Sequence, residues 1–347
     1  MNDSENNYLL TICQVSQLGE LMKNPVQVTG GLMHKMFKIE TDQGQFAIKW
    51  LNPYIMERSD ALQNFIRSEE IASLASRQIP ALPALRVSAQ SIQQVDGQYF
   101  LIFDWVEGTS LKQYEITAKH SYEIGVILGK IHQMNFSQQL SSQDTFMEEV
   151  NRLDWEGYIA LGIEKQAEWL QMLVDLKDIL IDLNEAAVRA SNSLSSELVF
   201  SHRDLDSKNV LWNSIGPTII DWESAGSIHP MQDLVETMIY WSRDEQGKDN
   251  QKRFNAFLDG YKKIHPQLQA DWQSVLSISH WSKLKWLAYN LKRSVGIDYI
   301  DSDDQLIGME QVKSTLHELT GEVSNTPRLH QWITEHGDAN KGVDSIS

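Results

Sequence analysis

Thirteen residues, FSHRDLDSKNVLW from Phe200 to Trp212, gather His202, Asp204, Asp206 and Asn209 into one short polar loop between apolar stubs. A carboxylate placed just after a strand is fixed in space yet wet enough to stay ionised. It can accept a proton from a hydroxyl, or orient that hydroxyl. An asparagine five residues on offers a neutral carbonyl oxygen, a hard ligand suited to magnesium. A second apolar run, IIDWESAG (219–226), ends on Asp221, which would supply a charged oxygen. Asn209 and Asp221 come side by side if residues 210–212 and 218–220 form a hairpin around NSIGP. Base, asparagine, aspartate and metal are the working parts of phosphoryl transfer. The pattern H-x-D-x-x-x-x-N alone is unspecific, and loops of Asp and Asn are common. The β-like flanks, the spacing to Asp221 and a lysine far upstream give it weight.

That lysine is Lys49, in the strand-like FAIKW. Phe46 and Ile48 point one way, Ala47 and Lys49 the other. On the side of the small Ala47 the lysine could reach nucleotide phosphates. Such a lysine is usually held by a helical glutamate. On the helical segment 55–77, Glu70 shares a face with Arg67, Ile71 and Leu74, so Glu70 is the expected partner, with Glu69 as the alternative. TGGLMHKM (29–36) is a glycine turn between strands, and the backbone amides around Gly30 and Gly31 could cover phosphates. It lacks G-x-G-x-x-G, and a plain hairpin turn accounts for it equally well.

These residues must be positioned by a larger frame. A chain of 347 residues suits two lobes rather than one core, and 41% apolar content supplies the interior. The first hundred residues read mostly as strands: 25–31, a hairpin over 35–51, a helix over 55–79, and a hairpin over 91–105 turned by Asp96-Gly97. After VEGTSL helices dominate, around 119–134, 145–158, 164–193, 231–243, 250–263, 270–296 and 304–320. The expected class is α+β, with two lobes: a β-rich lobe over 1–103, a connector over 104–108, a helical lobe over 109–336, and a frayed tail over 337–347. Ligand sites favour the junction of lobes.

Composition excludes several partners. Forty-seven acidic against thirty basic residues give a net charge of −17, the wrong sign for a nucleic-acid backbone. The single cysteine, Cys13, excludes an internal disulfide and a multi-cysteine zinc site. No apolar run approaches the ~20 residues that span a bilayer, and the acidic N-terminus is unlike a signal peptide. The expectation is a soluble cytoplasmic protein.

Taken in order, these stretches resemble the aminoglycoside phosphotransferase and choline kinase-like superfamily, small-molecule kinases with a protein-kinase-like fold. GGLMHKMFKIETDQGQFAIK resembles the first hairpin and YFLIFDWVEGTSL the hinge. IGVILGKIHQMN resembles the helix before the catalytic lobe. HRDLDSKNVLW resembles the catalytic loop, IIDWESAG the metal-binding strand, and HPMQDL the element that props up the loop. The resemblance implies a bilobal fold with a nucleotide-binding N-lobe. It implies Asp204 as catalytic base, Asn209 and Asp221 as magnesium ligands, and Lys49 on the α/β-phosphates, paired with Glu70. The Asp104 carbonyl and Val106 amide would face the purine edge, with Phe103 behind. Asp233 would be structural and His202 would pack beneath the loop. The implied cofactors are magnesium and ATP, with GTP as an alternative. Three positions depart from the family: Arg203 stands where glycine is usual, Asp206 where histidine or tyrosine is, and His229 where an acid is.

Only eleven residues separate Asp221 from Asp233, too few for a protein-kinase activation segment, so the acceptor is read as a small molecule. The acidic balance and Asp206, two residues past the base, point to an amine-bearing alcohol. SRDEQGKD (242–249), HWSKLKWLAYN (280–290) and DYIDSDDQ (298–305) are the candidate acceptor-side segments, by charge and by cation–π contact. A neutral sugar or amino-alcohol acceptor, and a non-catalytic nucleotide-binding protein on the same fold, are the alternatives.

Overall fold

The structure is a computed structural model and describes residues 3–28, 33–134, 136, 149–194, 197–297 and 302–338. The chain divides into two compact units, Met1–Ser110 with Lys208–Gly226, and Leu111–Ser207 with Ser227–Ser347.

In the first unit five antiparallel strands lie in the order β1-β2-β3-β5-β4. They are β1 (Val26–Val28), β2 (Lys35–Thr41), β3 (Gly44–Trp50), β4 (Ile92–Val95) and β5 (Gln98–Asp104). Both expected hairpins form. Asp96 and Gly97 turn the second with φ of 46° and 83°, the left-handed pair that a two-residue hairpin needs. One element escaped the sequence reading. Helix α1 (Asp3–Val15) buries Leu9, Ile12 and Cys13 against Phe37, Ile48 and Phe100 of the sheet. Burial pushes the Cys13 thiol up to about 11, so it stays protonated and unreactive at neutral pH.

The helix expected over 55–79 is two helices. α2 (Pro53–Met56) is capped by Asn52, whose Oδ1 accepts from the Tyr54 amide at 2.9 Å. α3 (Ala61–Ala75) turns Phe65, Ser68, Glu69, Ala72 and Ala75 inward. The stretch 208–226 packs with this unit, although the reading placed it in the helical lobe. Its β8 (Val210–Trp212) pairs with β6 (Thr109–Ser110) and with β9 (Pro217–Ile219). Ile219 then exchanges backbone bonds with Pro80 and Leu82, at 2.7 and 2.9 Å.

The second unit is helical. α4 (Ala118–Gln133) crosses α8 (Gln251–Lys262) through two glycines. A Cβ on Gly125 would meet the Phe257 carbonyl at 2.1 Å, and one on Gly260 the Tyr122 carbonyl at 2.1 Å. α5 (Trp155–Lys165) and α6 (Leu170–Ser193) replace the expected helices 145–158 and 164–193. Gln166 breaks the run in a left-handed conformation, φ 52°, while Ala167 N–H closes back on the Gly162 carbonyl at 2.9 Å. Of the first of those expected helices, 145–148 lies outside the described residues. α9 (Trp272–Ile278) and α10 (Trp281–Arg293) replace one expected helix. α11 (Ser302–Asp338) far outruns 304–320, passing through Pro327. Its Val312, Leu316 and Leu319 share a core with Trp155 of α5, Trp169 just before α6 and Leu173 of α6, and with Leu284 and Leu291 of α10. The tail from 339 lies outside the described residues. Among the described residues, no helix is long and apolar enough to cross a membrane.

Candidate active site

In the first unit the site is built on β3. Lys49 sits mid-strand opposite Leu101, with Ala47 opposite Phe103, on the face the alternation predicts. Its ammonium donates to Asp221 Oδ1 at 2.5 Å and to Glu223 Oε2. Burial works against its charge, but the two carboxylates hold its pKa above that of an ordinary lysine. The expected hairpin carries the second half. Val210 pairs with Ile219, and the Ile220 amide donates to the Asn209 carbonyl at 3.0 Å, so Asn209 and Asp221 emerge from adjacent strands. Asp221 holds φ at 61°, a conformation few non-glycine residues take and one concentrated at functional sites.

Glu70 does not face this group. It lies on the exposed side of α3, and Lys49 makes its ion pairs with Asp221 and Glu223. Glu69 is the inward residue, only 4% exposed, because it falls four positions after Phe65 and three before Ala72. Its Oε2 accepts from the Ala84 amide at 2.6 Å. Burial raises its pKa to about 7; the Ala84 bond and the Lys49 charge oppose that rise.

Two residues here had no role in the sequence reading. Glu223 joins Lys49 to His34. Burial disfavours the Glu223 charge, yet Lys49 and His34 keep its carboxyl well below the usual range. His34 is buried, its Nδ1 accepts from the Asn52 amide at 3.0 Å, and so Nε2 carries the proton. Nε2 lies 3.1 Å from Glu223 Oε2 but off the line of a good hydrogen bond. The sequence signal for Glu223 was its place two residues after Asp221; His34 had none beyond adjoining the glycine turn. Gly30 and Gly31 lie outside the described residues.

The connector is braced within the same unit. The Trp105 amide donates to the Gln45 carbonyl at 3.0 Å, and its Nε1 to Glu107 at 2.8 Å. Lys38 lies over the Trp105 ring, 4.1 Å from its centre. Phe103 is buried behind this segment, Asp104 is exposed and Val106 half-buried.

In the second unit the loop 202–207 follows β7 (Val199–Ser201). Its scaffold is α7 (Pro230–Ser242). Asp233 Oδ2 accepts from Ser201 at 2.5 Å and contacts His132 Nε2 at 2.8 Å. Trp241 Nε1 donates to the Leu205 carbonyl at 2.8 Å. His202 is fully buried, and its Nδ1 accepts from the Asp204 amide at 3.3 Å. Arg203 takes φ 64°. Asp204 and Asp206 are both half-buried. Tyr240 lies beside them: burial first, then the charges of Asp204 and Asp206, push its hydroxyl well above the ordinary tyrosine pKa. Glu236, one turn before Tyr240, is raised by burial to about 7, and is bonded by Gln232 at 2.8 Å and Ser282 at 3.0 Å.

The acids expected on the acceptor side are largely committed elsewhere. Asp304 is buried and pairs with Arg293, Nε at 3.1 Å. Asp249 binds Arg243 at 3.2 Å and Arg328 at 3.0 Å. Asp244 ties its own turn through the Lys248 amide at 2.8 Å, and Trp281 belongs to the core. Residues 298–301 lie outside the described residues. Among those described, no group of three or more His, Cys, Asp or Glu side chains could hold a metal by itself.

The fold resembles those of solved small-molecule kinases. A spectinomycin phosphotransferase crystallised with ADP and spectinomycin superposes with a TM-score of 0.68 at 14% identity, over 91% of this chain and 98% of that one. A choline kinase from Cryptosporidium parvum gives 0.62 at 12%, over 96% and 99%. An amicoumacin kinase in complex with AMP-PNP, Ca2+ and Ami gives 0.61 at 10%, over 91% and 94%. No curated protein sequence matches. The sequence model of a phosphotransferase enzyme family matches residues 26–266, more than half of the chain and both stretches that carry the site, and the chain therefore belongs to that family.

Proposed function

We propose that this phosphotransferase moves the γ-phosphate of ATP, or of GTP as the alternative, to a hydroxyl of a small amine-bearing molecule, with magnesium, in the cytoplasm. The observation that carries the reading is the Lys49 group: a buried mid-strand lysine bonded to the acid two residues past β9, in a chain whose family is phosphotransferase. The donor chemistry fits magnesium. Asn209 and Asp221 present hard oxygens from paired strands, and two protein ligands suffice for an ion that otherwise takes phosphate oxygens and water. Bound there, the ion would offset the charge developing on the β- and γ-phosphates.

The remaining roles belong to the chain itself. Lys49 binds the α- and β-phosphates. Phe103, the Asp104 carbonyl and the Val106 amide receive the base, and Gly30 and Gly31 cover the phosphates. Asp204 takes the proton of the acceptor hydroxyl as its oxygen bonds to the γ-phosphorus; the bond from that phosphorus to the β-phosphate oxygen breaks, and the nucleoside diphosphate leaves. Asp206 attracts the acceptor's ammonium. Presence of every working part, Lys49, Asp204, Asn209 and Asp221, disfavours a non-catalytic nucleotide binder. The acidic balance disfavours a nucleic-acid partner. The test is nucleotide turnover with magnesium against a panel of amino-alcohols, aminoglycosides and neutral sugars. Best turnover with a neutral or anionic alcohol would overturn the amine assignment, and no turnover with any would overturn the kinase reading.

A further inference from the structure

Glu223 and His34 form a buried pair that the roles above do not use. Lys49 has three N–H donors, and the structure shows donation to Asp221 and Glu223. Phosphate oxygens that bind Lys49 must compete with these two carboxylates. Asp221 has a second role proposed for it above, as a metal ligand; none is proposed there for Glu223. A largely buried carboxylate released from its lysine without another donor is strongly unfavourable. His34 supplies that donor. Its Nε2–H lies 3.1 Å from the very oxygen that Lys49 holds, within reach of that carboxylate when the lysine leaves it. The imidazole cannot follow elsewhere. Its Nδ1 is taken by the Asn52 amide, at the start of α2, and its ring stands edge-on to Phe65, 5.7 Å between centres.

We infer that His34 is a positioning residue for nucleotide binding, acting through Glu223: it receives that carboxylate and so makes Lys49 available to phosphate. The inference rests on the phosphotransferase reading and adds to it a residue that touches neither nucleotide nor acceptor.

Two substitutions separate the two ring nitrogens. His34→Asn keeps an acceptor at the place of Nδ1 and loses the reach to Glu223. His34→Gln keeps a donor near the place of Nε2. Dissociation constants for magnesium with a non-hydrolysable ATP analogue are measured by calorimetry, with kcat and KM beside them. His34→Asn should raise the dissociation constant and the nucleotide KM about tenfold and leave kcat within about twofold. His34→Gln should recover most of that loss. In a Glu223→Gln background, where no charge needs a new partner, His34→Asn should change the dissociation constant less than about twofold. An equal loss in both backgrounds means that His34 only packs, and overturns the inference. So does an unchanged dissociation constant in His34→Asn. A parent chain that binds no magnesium–nucleotide overturns the phosphotransferase reading and this inference together, whereas binding by the parent with no dependence on His34 overturns this inference alone.

Discussion

The protein holds two ionic clusters, one in each unit, centred on the buried Lys49 and the buried Glu322, and they are built on opposite plans. Around Lys49, one ammonium meets Asp221 and Glu223, which leaves one negative charge in excess before Glu69 is counted. Its acids lie on a short turn after β9, one of them at a left-handed φ. Around Glu322 the charges balance. Arg243, Lys283 and Arg328 face Glu322, Asp249 and Glu318, three against three, with His280 3.4 Å from Glu322. Most of these residues sit on regular helices, α10 and α11 among them. A cluster that satisfies itself ties helices together. A cluster with surplus acid on an irregular turn suits a cation supplied from outside.

The sharpest way to break the comparison is to strike each cluster's acids and the proposed base Asp204, then compare what is lost. Asp204→Ala should cut turnover by ~10²–10⁴ with nucleotide affinity nearly intact. Asp221→Asn should weaken magnesium-dependent nucleotide binding by at least ~100-fold. It should not lower the melting temperature, because asparagine tolerates the left-handed backbone better than aspartate. Calorimetric binding and a thermal melt on the same sample check both halves. Parent-like binding of the magnesium complex by Asp221→Asn would place the metal elsewhere.

Glu322→Ala should do the reverse. It leaves Lys283 and part of Arg243 buried without their shared acid, a loss of about 3–5 kcal/mol in stability. Denaturant unfolding reads this directly. The protein that remains folded should bind nucleotide as the parent does; a comparable loss of nucleotide affinity would mean that the two clusters are not separate in function.

Part of this contrast was legible in the sequence, and the legible part is local. Lys49 could be placed from strand alternation, and Asn209 beside Asp221 from one hairpin, because β period and turn chemistry act over a few residues. Glu70 was chosen over Glu69 because Ile71 and Leu74 looked like the buried stripe. Ile71 is buried, but so are Phe65, Ser68, Glu69, Ala72 and Ala75, so the inward face is centred on the other glutamate, and Leu74 is only half-buried. Helix α1 was missed for a related reason: Leu9, Ile12 and Cys13 have helical spacing, but polar neighbours dilute the signal. Asp249 and Asp304 read as solvated or acceptor-facing acids. Their arginines, Arg328 and Arg293, lie 79 and 11 residues away. Local pattern carries no information on such pairings, and His34 with Glu223, 189 positions apart, was beyond it too.

A fourth prediction concerns pH. Glu236 is raised by burial to about 7, so the folded chain binds a proton that the unfolded chain, near 4.5, has released. The Glu236 contribution to stability must therefore fall as pH rises from about 4.5 to 7 and level off above. Glu236→Gln keeps a carbonyl acceptor without that proton and should flatten this part of the profile. At pH 8 it should gain as much as ~3 kcal/mol, an upper bound set by the size of the shift. Unfolding midpoints at pH 5 and pH 8 check the sign. A variant whose loss of stability between the two equals the parent's would show that Glu236 is ionised throughout.

The smallest effect is expected where charges are paired but wet. Lys38 reaches Glu107 at 3.3 Å and caps the Trp105 ring, yet the Glu107 side chain is 79% exposed. Water and salt screen such a pair, so it contributes little, and the exposed ring contact adds little more. The connector does not depend on Lys38 alone, because the Trp105 amide also holds the Gln45 carbonyl and its indole holds Glu107. Lys38→Met keeps the aliphatic cover over the ring and removes only the charge. It should lower the melting temperature by no more than about 2–4 °C and raise the nucleotide KM by less than about threefold. Added salt should shrink the difference further, since the parent's pair is screened while the methionine is indifferent. A tenfold rise in nucleotide KM would mean that the exposed pair positions the connector after all, and that burial is the wrong measure for ranking the charges of this protein.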